Sequence, residues 1–389
     1  MKLSINNRYM ALQGLYWMMF CAASGFISLY LQGRGLSSAG IGNVTAAFGM
    51  MAALLQPVLG RITDRDSRVT WRGMILSLTF PFLLVCLVMP LVKGTWSGAL
   101  FMGLLILLSN TIMPFLNTAH FDYSRSGEFI NFGVARGIGS GLYALGALLI
   151  GFLAEKFGIE VVPFSGAVIS VIFIAVVLRM PVTREIKPAK SEEKTHQKGF
   201  LRRYPAFAVM LLACLLMLTA HIILNTYLLQ IIQSRGGESS QLGIALAAQA
   251  VVEVPVLFGF NKLHKRFSAS SLMLTAAVGF SLKALLFALS SSVEMIYLIQ
   301  CTQMISFALF ASASVFYTSE SIAKEEQTTG QAYMTSMIAA GSVLGSLIGG
   351  WVLELFGMST MLFVNFLIAV LGVVFALISV RSKKLLLKA

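Results

Sequence analysis

Uninterrupted apolar runs of roughly 20 residues, the length of α-helix that crosses about 30 Å of hydrocarbon, recur from one end of this chain to the other. Twelve can be placed, at about 10–31, 40–60, 73–92, 96–118, 131–154, 161–180, 205–232, 240–261, 271–290, 293–317, 329–353 and 359–380. They are continuous rather than alternating, so they read as helices; an open sheet in lipid would leave its backbone edges unpaired. With 57% hydrophobic and 12% charged residues, the 389-residue chain carries far more apolar surface than a soluble core holds. The fold class expected is all-α and integral to a membrane, with twelve transmembrane helices.

Threading those runs sorts the basic residues onto two unequal sides, and the richer side is assigned to the cytoplasm. That side holds Lys2, Arg8, the cluster at 60–72, the segment 181–204, Lys262, Lys265, Arg266, Lys324 and the tail from Arg381, whereas the other holds Arg34, Lys93, Lys156 and Arg235. Both termini are therefore expected inside. The net charge of +13 is membrane topology on this reading, and no basic groove for nucleic acid survives the partition. Cys21, Cys86, Cys214 and Cys301 all fall in apolar runs without metal-like or disulfide-like spacing and read as packing residues. The first run reaches full membrane length and lacks a small-residue cleavage site, so no cleavable signal peptide is expected.

One long polar segment, "PVTREIKPAKSEEKTHQKGFLRRY" at 181–204, divides the chain into two sets of six runs. The organisation expected is a half at 1–180, a cytoplasmic linker at 181–204 and a half at 205–389. The halves look related: "YALGALLIGFLAEKFG" at 143–158 and "SVLGSLIGGWVLELFG" at 342–357 share their LG, Glu and FG positions at constant offset. "PVLGRITDR" from Pro57 answers "PVLFGFNKLHKR" from Pro255. Gly341, Gly345 and Gly349 recur every four residues, as do Gly137 and Gly141, a pattern that lets backbones approach closely and predicts that these helices pack across the halves.

The stretch "GRITDRDSRVTWR" at 60–72 sets four arginines and two aspartates in one short turn. It resembles the loop between the second and third helices of the major facilitator superfamily, written G-x-x-x-D-[RK]-x-G-[RK]-[RK]. Gly60, Asp64, Arg65 and Arg68 match; Ser67 stands where the pattern prefers glycine. The resemblance implies two six-helix halves with a central site between them, alternating access by rocking, and a cytoplasmic gate in which Asp64 pairs with basic groups at neighbouring helix ends. Four further stretches, "YLQGRGLSSAGIG", "QPVLGRITDR", "NFGVARGIGSGLYALGALLIG" and "GQAYMTSMIAAGSVLGSLIGG", are similar to the branch holding the lactose and oligosaccharide proton symporters, the nucleoside permeases and the phenylpropionate permeases. There Arg136 matches a sugar-binding arginine and Tyr143 the place of a tryptophan on which the sugar ring stacks. The acid that partners the arginine is replaced by Thr118. Lys283 stands where the family usually has arginine, and the coupling positions of the tenth span are replaced by Gln300, Gln303 and Ser306.

Charges deep in a span imply function whatever the family. Glu253 is the acid placed well inside a span, and Lys283 the lysine so placed. A carboxyl in a poorly hydrated cavity can exchange a proton near neutral pH, and a cation beside it would make a two-state element that links protonation to rocking. His221 and Asn225 sit one turn apart and can relay protons or bind substrate; packing alone is the alternative. Asn110, Asn117, Thr118, Asn225, Gln249, Gln300 and Gln303, with Tyr16, Trp17, Tyr143 and Tyr227, would line a cavity of amides and aromatic faces suited to a neutral polyhydroxylated solute. Arg136 and Tyr143, seven residues apart, can face one cavity.

The expectation is a secondary transporter of the inner, cytoplasmic membrane: proton symport of a sugar, oligosaccharide or nucleoside. The alternatives are a proton-antiport exporter of sugars or drugs, an aromatic monocarboxylate symporter held by Arg136, and a transporter-like receptor without flux. No nucleotide-binding loop, metal cluster or nucleophile triad calls for ATP, a cofactor, a metal or enzyme chemistry. Substrate, protons and the lipid bilayer are the partners expected, with the chain working as a monomer.

Overall fold

The computed structural model describes residues 4–65, 69–181 and 199–386, without the side chains of residues 64, 65, 125 and 383–386. Its regular structure, among those residues, is helical throughout. Eleven helices are long and apolar enough to cross a membrane by length and composition, and the 59-residue Lys324–Ser382 segment among them turns at Gly357 (φ 81°, ψ 177°) into two. Twelve spans result: α1 Ile5–Gly33, α2 Ser38–Arg65, α3 Trp71–Leu91, α4 Thr95–Arg125, α5 Phe132–Phe157, α6 Val161–Arg179, α7 Pro205–Thr226 continued by Leu228–Gln233, α8 Ser239–His264, α9 Ala269–Leu289, α10 Val293–Ser321, then α11 and α12 at 327–356 and 358–386. α2, α4 and α8 outrun the apolar stretches that announced them. Hydropathy marks only the hydrocarbon, whereas a helix continues into water wherever its own hydrogen bonds and caps support it.

The internal repeat is written in the backbone. α1 passes through a π-helical turn at Cys21–Gly25 and breaks at Phe26 (φ −109°, ψ 16°), and α7 breaks at Tyr227 (φ −104°, ψ 18°). Each helix then ends in the same cap: Leu36 N donates to Leu31 O at 3.0 Å and Gly237 N to Ile232 O at 3.0 Å, around left-handed Gly35 and Gly236. These bonds satisfy carbonyls that a helix end leaves orphaned, and the left-handed residue between them is a position glycine adopts without steric cost. "QGRG" at 32–35 and "QSRG" at 233–236 are the local sequences responsible. Gly158 (φ 85°, ψ 179°) and Gly357 (φ 81°, ψ 177°), the last residues of the "FG" pair noted above, turn α5 into α6 and α11 into α12 with a backbone of their own that matches between the two.

The chain forms two compact units, Met1–Lys187 with Thr226–Val251, and Pro188–Asn225 with Val252–Ala389. In the first, α1 packs on α5 and α6, α2 on α4, and α3 on α4 and α6. The C-terminal carbonyls of α6 are capped by arginines: Arg8 Nη1 donates to Arg179 O at 2.9 Å, and Arg72 donates to Leu178 O at 2.7 Å and Met180 O at 3.2 Å. Arg34 pairs with Glu160 at 2.7 Å and also donates to Tyr30 Oη. Gly151 of α5 faces Gly243 of α8 so closely that a Cβ on Gly151 would lie 2.9 Å from the Gly243 Cα.

In the second unit α9 packs on α10 and on the α11–α12 pair. The glycine stripe of α11 meets α7 of that same unit, where a Cβ on Gly345 would lie 2.6 Å from Thr219 O and one on Gly341 2.7 Å from Leu218 Cβ. For α11 this corrects the expectation of contact across the halves, the backbone it admits being that of its own neighbour, whereas α5 of 1–180 does meet α8 of 205–389, at Gly151 and Gly243. Gly141 meets nothing within 4 Å, so the close approach of α5 lies farther along, at Gly151. Gly279 of α9 abuts the peptide of α10 at Ile305, the carbonyl carbon 2.7 Å from where its Cβ would be. Gly279→Ala should therefore lower stability by about 1–3 kcal/mol through overpacking, while Gly141→Ala should leave it within about 0.5 kcal/mol. Thermal unfolding of the two variants in one detergent tests the contrast, which equal melting temperatures would refute.

Candidate functional site

The second unit buries the charges that the sequence placed in its spans. α10 is not one smooth helix: it runs from Val293 to Gln300, tightens into a 3₁₀ turn at Cys301–Met304, and resumes at Phe307 after Ser306 (φ −103°, ψ −99°). The absent Cβ of Gly279 admits this irregular backbone, and the turn carries Gln303 into the interior. There Lys283 Nζ donates to Gln303 Oε1 at 2.6 Å, and Gln303 Nε2 donates to Glu253 Oε1 at 2.9 Å. All three are buried, at 2%, 0% and 9% exposure for Lys283, Gln303 and Glu253. An ammonium only donates and a carboxylate only accepts, so the amide orientation is dictated by its neighbours. Glu253 and Lys283, whose proximity the sequence left open, are thus joined through Gln303.

His221 and Asn225 lie beside one another on α7 as their spacing implies. The His221 ring stacks on Phe307 at 4.6 Å between centroids and meets Phe280 edge-on at 5.6 Å. Asn225 Nδ2 donates to the His221 carbonyl at 3.1 Å and lies 2.9 Å from its ring Nε2. This arrangement fixes the imidazole between two aromatic rings and an amide. Gln300 is buried close by in sequence, its Oε1 without a partner.

In the first unit Arg136 is met by Trp17 of α1, the guanidinium carbon 3.8 Å from the indole centroid. Arg136, Gly139 and Tyr143 follow one face of α5. Trp17 covers the middle of that face, since a Cβ on Gly139 would lie 2.5 Å from Trp17 Cδ1. The aromatic surface next to the arginine is therefore the indole, and the Tyr143 hydroxyl instead reaches the break in α1, 3.0 Å from where a Gly25 Cβ would be. Residues counted from sequence among the lining are in part engaged in packing. Tyr16 is buried and donates to Ser109 O at 3.0 Å, and the Thr118 hydroxyl donates to Pro114 O of its own helix at 3.1 Å. Asn117 Oδ1 is buried and has no hydrogen-bond partner.

Three groups on α1 and α4 were not singled out by sequence reasoning. Gln13 stands one turn before Trp17; its Nε2 donates to Tyr9 Oη at 2.9 Å, and Tyr9 donates to Leu116 O at 3.2 Å. His120 lies 6.0 Å from Tyr9 and 5.0 Å from Phe132 between ring centroids, and Phe132 is one turn before Arg136. Gln13 Oε1, Trp17 Nε1 and His120 Nδ1 are all buried without partners. A polar residue on an apolar helix was the available signal for Gln13, but nothing in the sequence tells which of α1's faces meets α5. Of the gate residues, Gly60 lies in α2 with open space around it, while the side chains of Asp64 and Arg65 and the whole of Arg68 lie outside the described residues.

Against known proteins, the family model described as the MFS_1 like family matches residues 9–364. The maltose permease of Geobacillus stearothermophilus is 25% identical over 348 residues, which cover 87% of this chain and 86% of that one. Among solved structures, the nucleoside transporter NupG superposes with a TM-score of 0.82 at 15% identity, covering 97% of this chain and 99% of that chain. A bacterial homologue of the human lysosomal transporter Spinster, in an inward-facing and unoccupied conformation, gives 0.70 at 16% identity over 98% of each chain. The helical architecture is that of these transporters, and the matched region takes in both clusters just described. The chain belongs to the MFS_1 like family and is a multi-pass membrane transporter of the major facilitator type, not an enzyme.

Proposed function

We propose that this transporter is a proton symporter that takes up a small neutral polyhydroxylated solute, a sugar, oligosaccharide or nucleoside, across the inner membrane by alternating access, with both termini cytoplasmic. The bodies that rock would be the halves 1–180 and 205–389, joined by 181–204. The observation that carries the coupling is the buried chain Lys283–Gln303–Glu253. As long as Glu253 is ionised, the amide passes a favourable charge between it and the ammonium. Protonation of Glu253 leaves Lys283 as a buried cation without its counter-charge, a condition that costs on the order of 3–5 kcal/mol. The chain must then rearrange, and a carrier that can rearrange only by exchanging which side is open converts that electrostatic demand into transport.

The solute class rests on the other cluster and on the relatives. One relative is named for maltose and one fold neighbour for nucleosides, both hydroxyl-rich and uncharged. Arg136 offers a rigid fork of donors to hydroxyl oxygens, and Asn117 and Gln13 offer buried acceptors to hydroxyl protons. The second reading is a monocarboxylate held by Arg136 alone. It leaves those acceptors facing another acceptor.

Glu253→Gln should abolish accumulation driven by a proton gradient while leaving solute exchange, because a neutral mimic holds one protonation state. Both activities are measurable in proteoliposomes; accumulation that persists in the variant would make Glu253 structural. Arg136→Lys keeps the charge but loses the fork, and should weaken a sugar or nucleoside by about 1.5–3 kcal/mol. Binding measured for maltose, a nucleoside and an aromatic acid decides between the readings: a loss confined to the acid, and only when the charge is removed, favours the carboxylate.

A further inference from the structure

Gln13 is fully interior, with 1% of its surface exposed, yet its carbonyl oxygen has no partner. The orientation of the amide is not arbitrary. Tyr9 gives its one proton to Leu116 O, so toward Gln13 it can only accept, and the nitrogen of Gln13 must be the atom that faces it. The oxygen that remains is a buried acceptor in a medium where an unmet acceptor is expensive. One turn along the same face stands Trp17, whose ring carries the Arg136 guanidinium at 3.8 Å and whose own Nε1–H is likewise buried and unmet. The cation–π contact fixes where the guanidinium sits, and its planar fork holds its N–H donors in a fixed geometry.

We propose that Gln13 and Trp17 are specificity-determining residues of the substrate site: Gln13 Oε1 accepts a proton from a substrate hydroxyl, and Trp17 positions the Arg136 fork to donate to the adjacent hydroxyl oxygen. The inference rests on the functional reading above and sharpens it. A vicinal pair of hydroxyls donates at one oxygen and accepts at the next, so it satisfies the acceptor on α1 and the fork on α5 at once. A carboxylate has no proton for Gln13 and would set oxygen against oxygen, so the same acceptor discriminates against acids of similar size.

The test is a residue-against-hydroxyl cycle on the full chain in proteoliposomes. Competition constants are measured for maltose and each of its monodeoxy analogues, and for a nucleoside and its deoxy forms, against the parent, Gln13→Met, Tyr9→Phe, Trp17→Phe and Trp17→Leu. In the parent, removing the hydroxyl that Gln13 reads should weaken binding roughly 3- to 10-fold. In Gln13→Met that ratio should fall to about 1, because the partner is gone, while in Tyr9→Phe, which breaks the internal hydrogen bond but keeps the acceptor, it should persist. Trp17→Leu should weaken every hydroxylated solute, with Trp17→Phe partly restoring it. A merely structural Gln13 would change all constants alike and leave every ratio at its parent value, and that result overturns the proposal. If the parent takes up no sugar or nucleoside at all, the functional reading itself falls, a failure visible before any variant is made.

Discussion

In hydrocarbon there is no water to answer a peptide group or a charge, and each one left unmet costs several kcal/mol. Everything in this molecule follows from where that demand is met locally and where it is not. The twelve spans meet it with their own backbones. The interruptions at Cys21–Phe26, at Tyr227 and at Cys301–Ser306 occur in α1, α7 and α10. Gly279 supplies room for the break in α10, and that break in turn delivers Gln303 between an ammonium and a carboxylate.

The same demand separates structural polar residues from functional ones. Thr118, Tyr16 and Asn110 look like ligand-binding groups in a list of mid-span polar residues, but their donors go to carbonyls of Pro114, Ser109 and Ile106. Such residues stabilise the helix or its packing, and they are satisfied without a substrate. Gln13, Asn117, Trp17 and His120 are in the opposite position, holding buried atoms that nothing in the chain meets. Those unmet atoms lie on α1 and α4, and α1 also carries the indole that meets Arg136 of α5. In the second unit Lys283, Gln303 and Glu253 meet one another instead.

The repeat explains why the two units share a scaffold and differ in chemistry. Gly35 and Gly236, and Gly158 and Gly357, adopt matching positive-φ turns because each corresponding loop must reverse or cap a helix. Backbone requirements of this kind are common to both halves and so survive as shared motifs. Side chains face no such common requirement: the arginine–indole pair belongs to one half and the lysine–amide–carboxylate chain to the other.

Hydropathy is a property of consecutive residues, and so the sequence alone determined the number of spans, their approximate limits, the internal repeat and the membership of Glu253 and Lys283 in the buried interior. Each of these depends on local composition or on a fixed offset along the chain. What only the tertiary structure decided is which face of one helix meets which face of another. Trp17 and Arg136 are 119 positions apart, as the difference between their numbers shows, and no periodicity in either helix announces that the indole rather than Tyr143 lies against the guanidinium. Gln303 reads in sequence as a replaced coupling residue and becomes a bridge only because the backbone at Gly279 lets α10 bend inward. Nearly every helix here is apolar around most of its circumference, with lipid on one side and protein on the other, so the pattern that marks a buried face in a soluble protein is missing. Rotation about the helix axis, and with it the identity of the groups that touch, is settled by close packing of small residues against backbone, which the linear sequence does not display.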